Sequence, residues 1–132
     1  MNHQEDVTQV LADYYSAFST LEVQAVVPYF HEPSMLIGPQ GVFVAPTADA
    51  MGAAFAPAME GLRARGYARS ELSLQQLDVL SSTTSLVTGV AIRYQADGQE
   101  LEQVGVTYML HKTETGWKIA VVAIHDVMNR AT

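Results

Sequence analysis

Tyr14, His31 with Glu32, and His125 with Asp126 are the residues of this sequence whose types and spacing suggest chemistry. Tyr14 stands in a run whose apolar residues recur at three- and four-residue steps. Its phenol therefore lies on the inner face of a helix, where it can donate to a ligand oxygen or a developing oxyanion. A plainer reading packs the same ring in the core, bonded to a backbone carbonyl. Tyr15, one residue on, points about 100° away and is not expected to share that space. His125 and Asp126 look like an acid–base pair. As neighbours on a strand they face opposite sides, so one of them at most meets a pocket. His31 and Glu32 follow a short helix, and a histidine there is favoured by the helix dipole alone.

Several chemistries are disfavoured by what the chain lacks. The four histidines show neither HExxH nor close His-x-His spacing, so no metal site is expected. His111, beside Lys112, reads as a surface residue, and His3 belongs to a terminal segment. With no cysteine, disulfides, thiolate metal sites and a cysteine nucleophile are all excluded. There is no GxSxG, no phosphate-binding loop and no GxGxxG, and no cofactor is implied. A net charge of −7 argues against nucleic acid, whose phosphates need a basic face. No apolar run approaches the roughly 18 residues that cross a bilayer. The acidic, polar start is unlike a secretory signal, so a cytoplasmic protein without membrane partners is expected.

The 132 residues suit one domain over 1–132, and 48% hydrophobic with 16% charged residues leaves room for a large core, a cavity or an oligomer interface. Val7, Val10, Leu11, Tyr14, Phe18 and Leu21 form the stripe of a first helix ending near Phe18. Ser19-Thr20-Leu21-Glu22 has the pattern of a capping box opening a second, short helix, which Pro28 ends by His31. Met35-Leu36-Ile37 and Val42-Phe43-Val44 read as short strands around a Gly38-Pro39-Gln40-Gly41 turn. Thr47 caps a third helix carrying Met51, Phe55, Met59 and Leu62, and Gly66 ends it. From Ser70 the period becomes two. Leu72 and Leu74 share one parity and Leu77 and Val79 the other, the mark of a β-bulge at Gln75-Gln76. Strands over 86–94, 104–110 and 117–124 follow, turning at Asp97-Gly98 and Glu114-Thr115-Gly116. The expected class is α+β, with helices on one face of a curved antiparallel sheet.

In this order and spacing the chain resembles the NTF2-like superfamily of ketosteroid isomerases, SnoaL-type polyketide cyclases, scytalone dehydratase and limonene epoxide hydrolase. The resemblance rests on Leu11-Ala12-Asp13-Tyr14-Tyr15-Ser16-Ala17-Phe18, Val26-Val27-Pro28-Tyr29-Phe30, the Gly38-Pro39-Gln40-Gly41 turn, Ile92-Arg93-Tyr94-Gln95-Ala96-Asp97-Gly98 and Gly116-Trp117-Lys118-Ile119. It implies a conical barrel of three N-terminal helices packed on a curved, mostly antiparallel sheet, with a pocket for a hydrophobic small molecule. It also implies a homodimer formed through the sheet, with Trp117 at that interface.

Carried over residue by residue, the resemblance matches Tyr14 to the oxyanion-hole tyrosine of ketosteroid isomerases. Gly38 and Thr107 stand where those enzymes have their two aspartates. The usual isomerase chemistry is therefore not expected. Arg93 and Asp126 match parts of an epoxide hydrolase set without its motif. The implied pocket parity on the last strand is that of Ala120, Val122, Ile124 and Asp126. Candidate catalytic residues are thus Tyr14, to polarise an oxygen, with Asp126 or His31 to move a proton. Asp126 also reads plainly as a solvated carboxylate at a strand end. Candidate ligand-binding residues are Tyr14, Met35, Phe55, Met59, Tyr94, Thr107, Met109 and Val122. The resemblance leaves the role unassigned beyond a pocket for a hydrophobic small molecule, one reading being a SnoaL-like isomerase-, cyclase- or dehydratase-type enzyme without the usual ketosteroid isomerase aspartates. The alternative is a non-catalytic ligand-binding or dimerisation module.

Overall fold

The computed structural model describes residues 2–127. In chain order they form helix α1 (His3–Phe18), helix α2 (Val23–Val26), a 3-10 turn (Val27–Tyr29), strands β1 (Phe30–Gly38) and β2 (Gly41–Ala45), and helix α3 (Ala48–Ala64). Strands β3 (Tyr67–Val79), β4 (Thr84–Gln95), β5 (Glu100–Thr113) and β6 (Gly116–His125) complete the chain.

Local chemistry accounts for the helix starts. Asn2 accepts from the Gln4 amide at 2.8 Å, and Glu5 and Asp6 complement the dipole of the first turn. Thr47 Oγ1 accepts from the Ala50 amide at 3.1 Å, while Glu32 takes the Ala48 amide at 2.8 Å, so α3 is capped twice. The capping box expected at Ser19 is not formed. Ser19 Oγ donates to the Tyr15 carbonyl and so helps close α1, and α2 begins at Glu22 without a side-chain cap. Between them Leu21 takes φ +56°, and its carbonyl accepts from Arg63 Nη2 at 3.0 Å. The α2 segment ends at Tyr29, so His31 lies on β1 and not at a helix end.

The strands make one six-stranded sheet in the order β2-β1-β6-β5-β4-β3. Every pairing is antiparallel except β1 with β6. The sheet is curved onto the helices but open, with β2 and β3 as edges, so the expected barrel does not close. Helix α1 packs chiefly on β3 and α3 on β1.

Two bulges decide what faces the helices. In β3 the register shifts between Leu74 and Gln76, so Leu72, Leu74, Leu77 and Val79 all lie opposite the inward residues Ala91, Gly89, Val87 and Ser85. The second bulge sits at Ala120: Leu110 pairs with Ile119 and Met109 with Val121. Ile119 and Val122 are consequently both buried, and Ala120 does not belong to the inward parity as expected. Trp117 shares the inward side, buried with its ring edge-on to His3 at 5.6 Å. It is therefore not on the outer face, where the resemblance put it.

Candidate functional site

Between α1, α3 and the middle of the sheet lies a cavity walled mostly by aromatic rings. Helix α1 supplies Tyr14, Tyr15 and Phe18, and α3 supplies Phe55. The sheet adds Ala91 and Arg93 from β4, Val106 and Tyr108 from β5, Val122 and Ile124 from β6, and Ser70 from β3. The space open to the centres of water-sized molecules is about 30 Å³. At roughly 10–15 Å³ per water, that admits two or three. The rings themselves keep it small. Tyr14 meets Tyr15, Tyr29, Phe30 and Tyr108 edge-on, with centroids 5.6–6.2 Å apart.

The polar groups at this cavity are the hydroxyls of Tyr14, Tyr15, Ser70 and Tyr108 and the Arg93 guanidinium. The Tyr15 and Tyr108 hydroxyls share a hydrogen bond of 2.8 Å. Among the described residues, no protein group hydrogen-bonds the Tyr14 hydroxyl. Burial pushes the Tyr15 phenol up to about 12 and raises Tyr14 and Tyr108 well above the ordinary value, so all three stay protonated at neutral pH.

Arg93 is the charged residue in the wall, its side chain only 16% exposed. Its Nη1 donates to Glu102 Oε2 at 2.6 Å, and its Nε–H is buried with no partner. Glu102 is shared, accepting also from Arg65 Nη1 at 2.8 Å. Burial raises the Glu102 carboxyl, but the hydrogen bonds from Arg65 and Arg93 outweigh it and leave its pKa below the ordinary value.

A second, larger space adjoins the first. An open groove of about 860 Å³ runs between α1 and β3, with Leu11, Leu72, Leu74 and Leu77 in its walls. Tyr15 and Ser70 are wall residues of both spaces.

Of the residues singled out in the sequence, the structure gathers Tyr14, Phe55 and Val122 at the cavity. The others lie elsewhere. Met59 is buried within α3's packing. Met35 and Met109 are paired at positions opposite Val121, on the outward parity of the sheet. Tyr94 lies under the Arg69 guanidinium at 4.3 Å. Thr107 also faces outward, because its neighbours Val106 and Tyr108 are the ones turned to the cavity; its hydroxyl bonds His125 Nε2 at 2.9 Å. His31 lies against His111, ring centroids 5.4 Å apart, in a crevice with Lys118. Asp126 is exposed just past β6.

Tyr14, Asp126 and His31 thus do not converge, and no carboxylate or imidazole lines the cavity among the described residues. The polar cavity residues absent from the sequence-based set are Tyr15, Ser70, Arg93 and Tyr108. Arg93 and Tyr108 carried a signal, since each sits at an inward alternation position of an apolar strand.

Comparisons with known proteins follow the architecture. The sequence profile of NTF2-like protein (DUF6841) matches residues 4–127. A search of the curated proteins found no match. Among solved structures, the chain is similar to an NTF-2 like protein of unknown function from Shewanella oneidensis MR-1, with a TM-score of 0.73 at 18% identity over 92% of this chain and 98% of that one. A cystatin-like-fold domain of unknown function from Nostoc punctiforme PCC 73102 gives a TM-score of 0.77 at 15% identity, covering 98% and 81%. A ketosteroid isomerase-like protein from Erwinia carotovora atroseptica SCRI1043 gives 0.67 at 15%, covering 97% and 98%. At such identities the likeness is one of fold.

Proposed function

The chain belongs to the NTF2-like protein family DUF6841, and from that premise we propose that it binds a small, largely apolar molecule through an oxygen acceptor without changing it chemically. One observation carries the reading: the Arg93 Nε–H is buried at an apolar cavity without a partner, and the Tyr14 ring, whose hydroxyl makes no protein hydrogen bond among the described residues, lines the same cavity. A buried donor left unpaired costs about 1–3 kcal/mol, so a ligand oxygen placed there recovers that penalty. Acid–base catalysis needs a proton acceptor as well. Neither Asp126 nor His31 reaches the cavity to act as one. The isomerase-, cyclase- or dehydratase-type reading therefore keeps its electrophilic half and lacks its base, although the fold is shared with a ketosteroid isomerase-like protein.

The test is a calorimetric screen of small ketones, lactones and carboxylates against the protein and Tyr14→Phe. The loss of one hydrogen bond is expected to weaken binding roughly 3- to 10-fold, from the 0.5–1.5 kcal/mol such a bond contributes. Equal affinities for both proteins, or no ligand for either, would count against the proposal. Turnover of any screened compound would restore the enzymatic reading.

The outward sheet face supports a second copy as partner. Val42 and Val44 are 61% and 59% exposed on edge strand β2, and the outward row continues through Met35, Ile37, Val121 and Ala123 without a charge. An uncharged apolar face of this kind is self-complementary about a two-fold axis. Sedimentation at micromolar concentration is expected to give a dimer, and Val42→Lys with Val44→Lys a monomer. A monomeric wild-type protein refutes this arrangement.

A further inference from the structure

The cavity is too small for the body of any ligand beyond a few atoms. A larger molecule that uses Tyr14 and Arg93 must therefore extend out of it, and the adjoining space is the α1–β3 groove. At about 860 Å³ the groove falls within the roughly 300–1,000 Å³ of typical ligand sites. It follows α1 from Thr8 to Ser19, about 16 Å at 1.5 Å per residue, so an extended chain fits better than a compact ring system. Its apolar walls include Leu74, a strand residue left 48% exposed. Arg69 and Glu71, the charges at its rim, pair with each other at 2.9 Å.

Charge favours an anion at the inner end. Arg65 and Arg93 share the single carboxylate of Glu102, so the cluster keeps one positive charge beside the cavity. A neutral carbonyl would satisfy the unpaired Nε–H. A carboxylate would satisfy it and also neutralise that charge in a poorly hydrated site, where charge-assisted bonds are stronger than neutral ones.

Resting on the binding role above, we propose that the ligand is an amphiphilic monocarboxylate. Its carboxylate sits at Arg93 and Tyr14, its chain lies along the α1–β3 groove, and the Tyr15 ring is the door between the two. Tyr15 is a wall of both spaces and is held shut by its hydrogen bond to Tyr108.

The experiment titrates the protein with butanoate, decanoate and 2-decanone by calorimetry. Decanoate is expected to bind at least tenfold more tightly than either other probe. Leu74→Gln, an exposed position that leaves the core untouched, is expected to weaken decanoate several-fold and leave butanoate unchanged. Arg93→Gln is expected to abolish the preference for decanoate over 2-decanone. Tyr15→Phe, which removes the latch, is expected to raise the association rate in stopped-flow mixing. Equal binding of 2-decanone and decanoate would overturn the anion while leaving the oxygen-binding cavity standing. Equal binding of butanoate and decanoate would overturn the groove, and an unchanged association rate the door. Failure of all three probes, together with an empty ketone and lactone screen, would remove both this proposal and the binding role beneath it.

Discussion

Above pH 10 the protein is expected to lose stability by up to about 4 kcal/mol for each further pH unit, because three phenols must give up protons that the folded state retains. Tyr14, Tyr15 and Tyr108 are all buried, and burial penalises the phenolate in each. The sign follows from proton counting. Below the ordinary phenol value near 10, folded and unfolded chains are equally protonated, and the full stability is present. Between that value and the folded one, about 12 for Tyr15 and well above the ordinary value for its two neighbours, the unfolded chain has lost the protons and the folded chain has not. Stability therefore falls as pH rises.

Lysines add little to this limb, since the chain has two, Lys112 and Lys118; Tyr94, raised by desolvation and by its hydrogen bond with Glu71, acts in the same direction as the trio. Urea unfolding followed by circular dichroism at a series of alkaline pH values measures the slope. Each Tyr→Phe substitution in the trio should lower it by about 1.4 kcal/mol per pH unit, one proton's share. A slope insensitive to all three substitutions, or phenolate absorbance near pH 10 in the folded chain that drops when a member of the trio is replaced by Phe, would show that the rings are not sealed from water.

Gly89→Val is expected to destabilise the fold by about 3 kcal/mol or more, the upper end of overpacking costs. A Cβ at Gly89 would stand 2.6 Å from the Ser73 carbonyl oxygen and 3.0 Å from the Leu72 side chain. The obstacle is backbone, which cannot rotate away as a side chain does. Gly89 faces inward opposite Leu74, immediately before the bulge at Gln75, where β3 bends across β4. The bulge and the glycine are thus one device: the bend brings the β3 backbone close, and the missing side chain lets it pass. Gly61→Ala supplies the opposite sign. A Cβ there meets nothing within 4 Å on an exposed helical position, so a gain of up to about 1 kcal/mol is expected. Equilibrium urea midpoints distinguish the two. A wild-type midpoint for Gly89→Val would mean that β3 does not press on β4 at this point.

The elements were legible because their causes are local. Helix stripes, Thr47 as a cap, the Asp97-Gly98 and Gly116 turns and the parity switch at Gln75-Gln76 all depend on residues a few positions apart, and each is found where the sequence puts it. Where a local signal misled, a tertiary partner had claimed the group. Ser19 could cap α2, yet its hydroxyl closes α1 and also accepts the Ser70 amide at 3.3 Å, from a strand 51 positions away in the chain.

The site divides the same way. The sequence by itself determined that Tyr14 faces inward from α1, and that Phe55 and Val122 do so from α3 and β6. Tertiary structure alone decided that Thr107 turns outward, that Ala120 bulges and that Trp117 lies under α1. It also decided that Tyr14 and Tyr15, about 100° apart on one helix, both reach a single cavity, because the curved sheet wraps far enough around α1 to meet both. The reason is that a strand's alternation fixes its two faces but not which of them is inner. One extra residue at a bulge inverts that choice for everything beyond it, and its position is settled only by pairing with a neighbouring strand. Arg93 depends on such pairing too: its burial is tolerable because the β4–β5 register places Glu102 directly across from it.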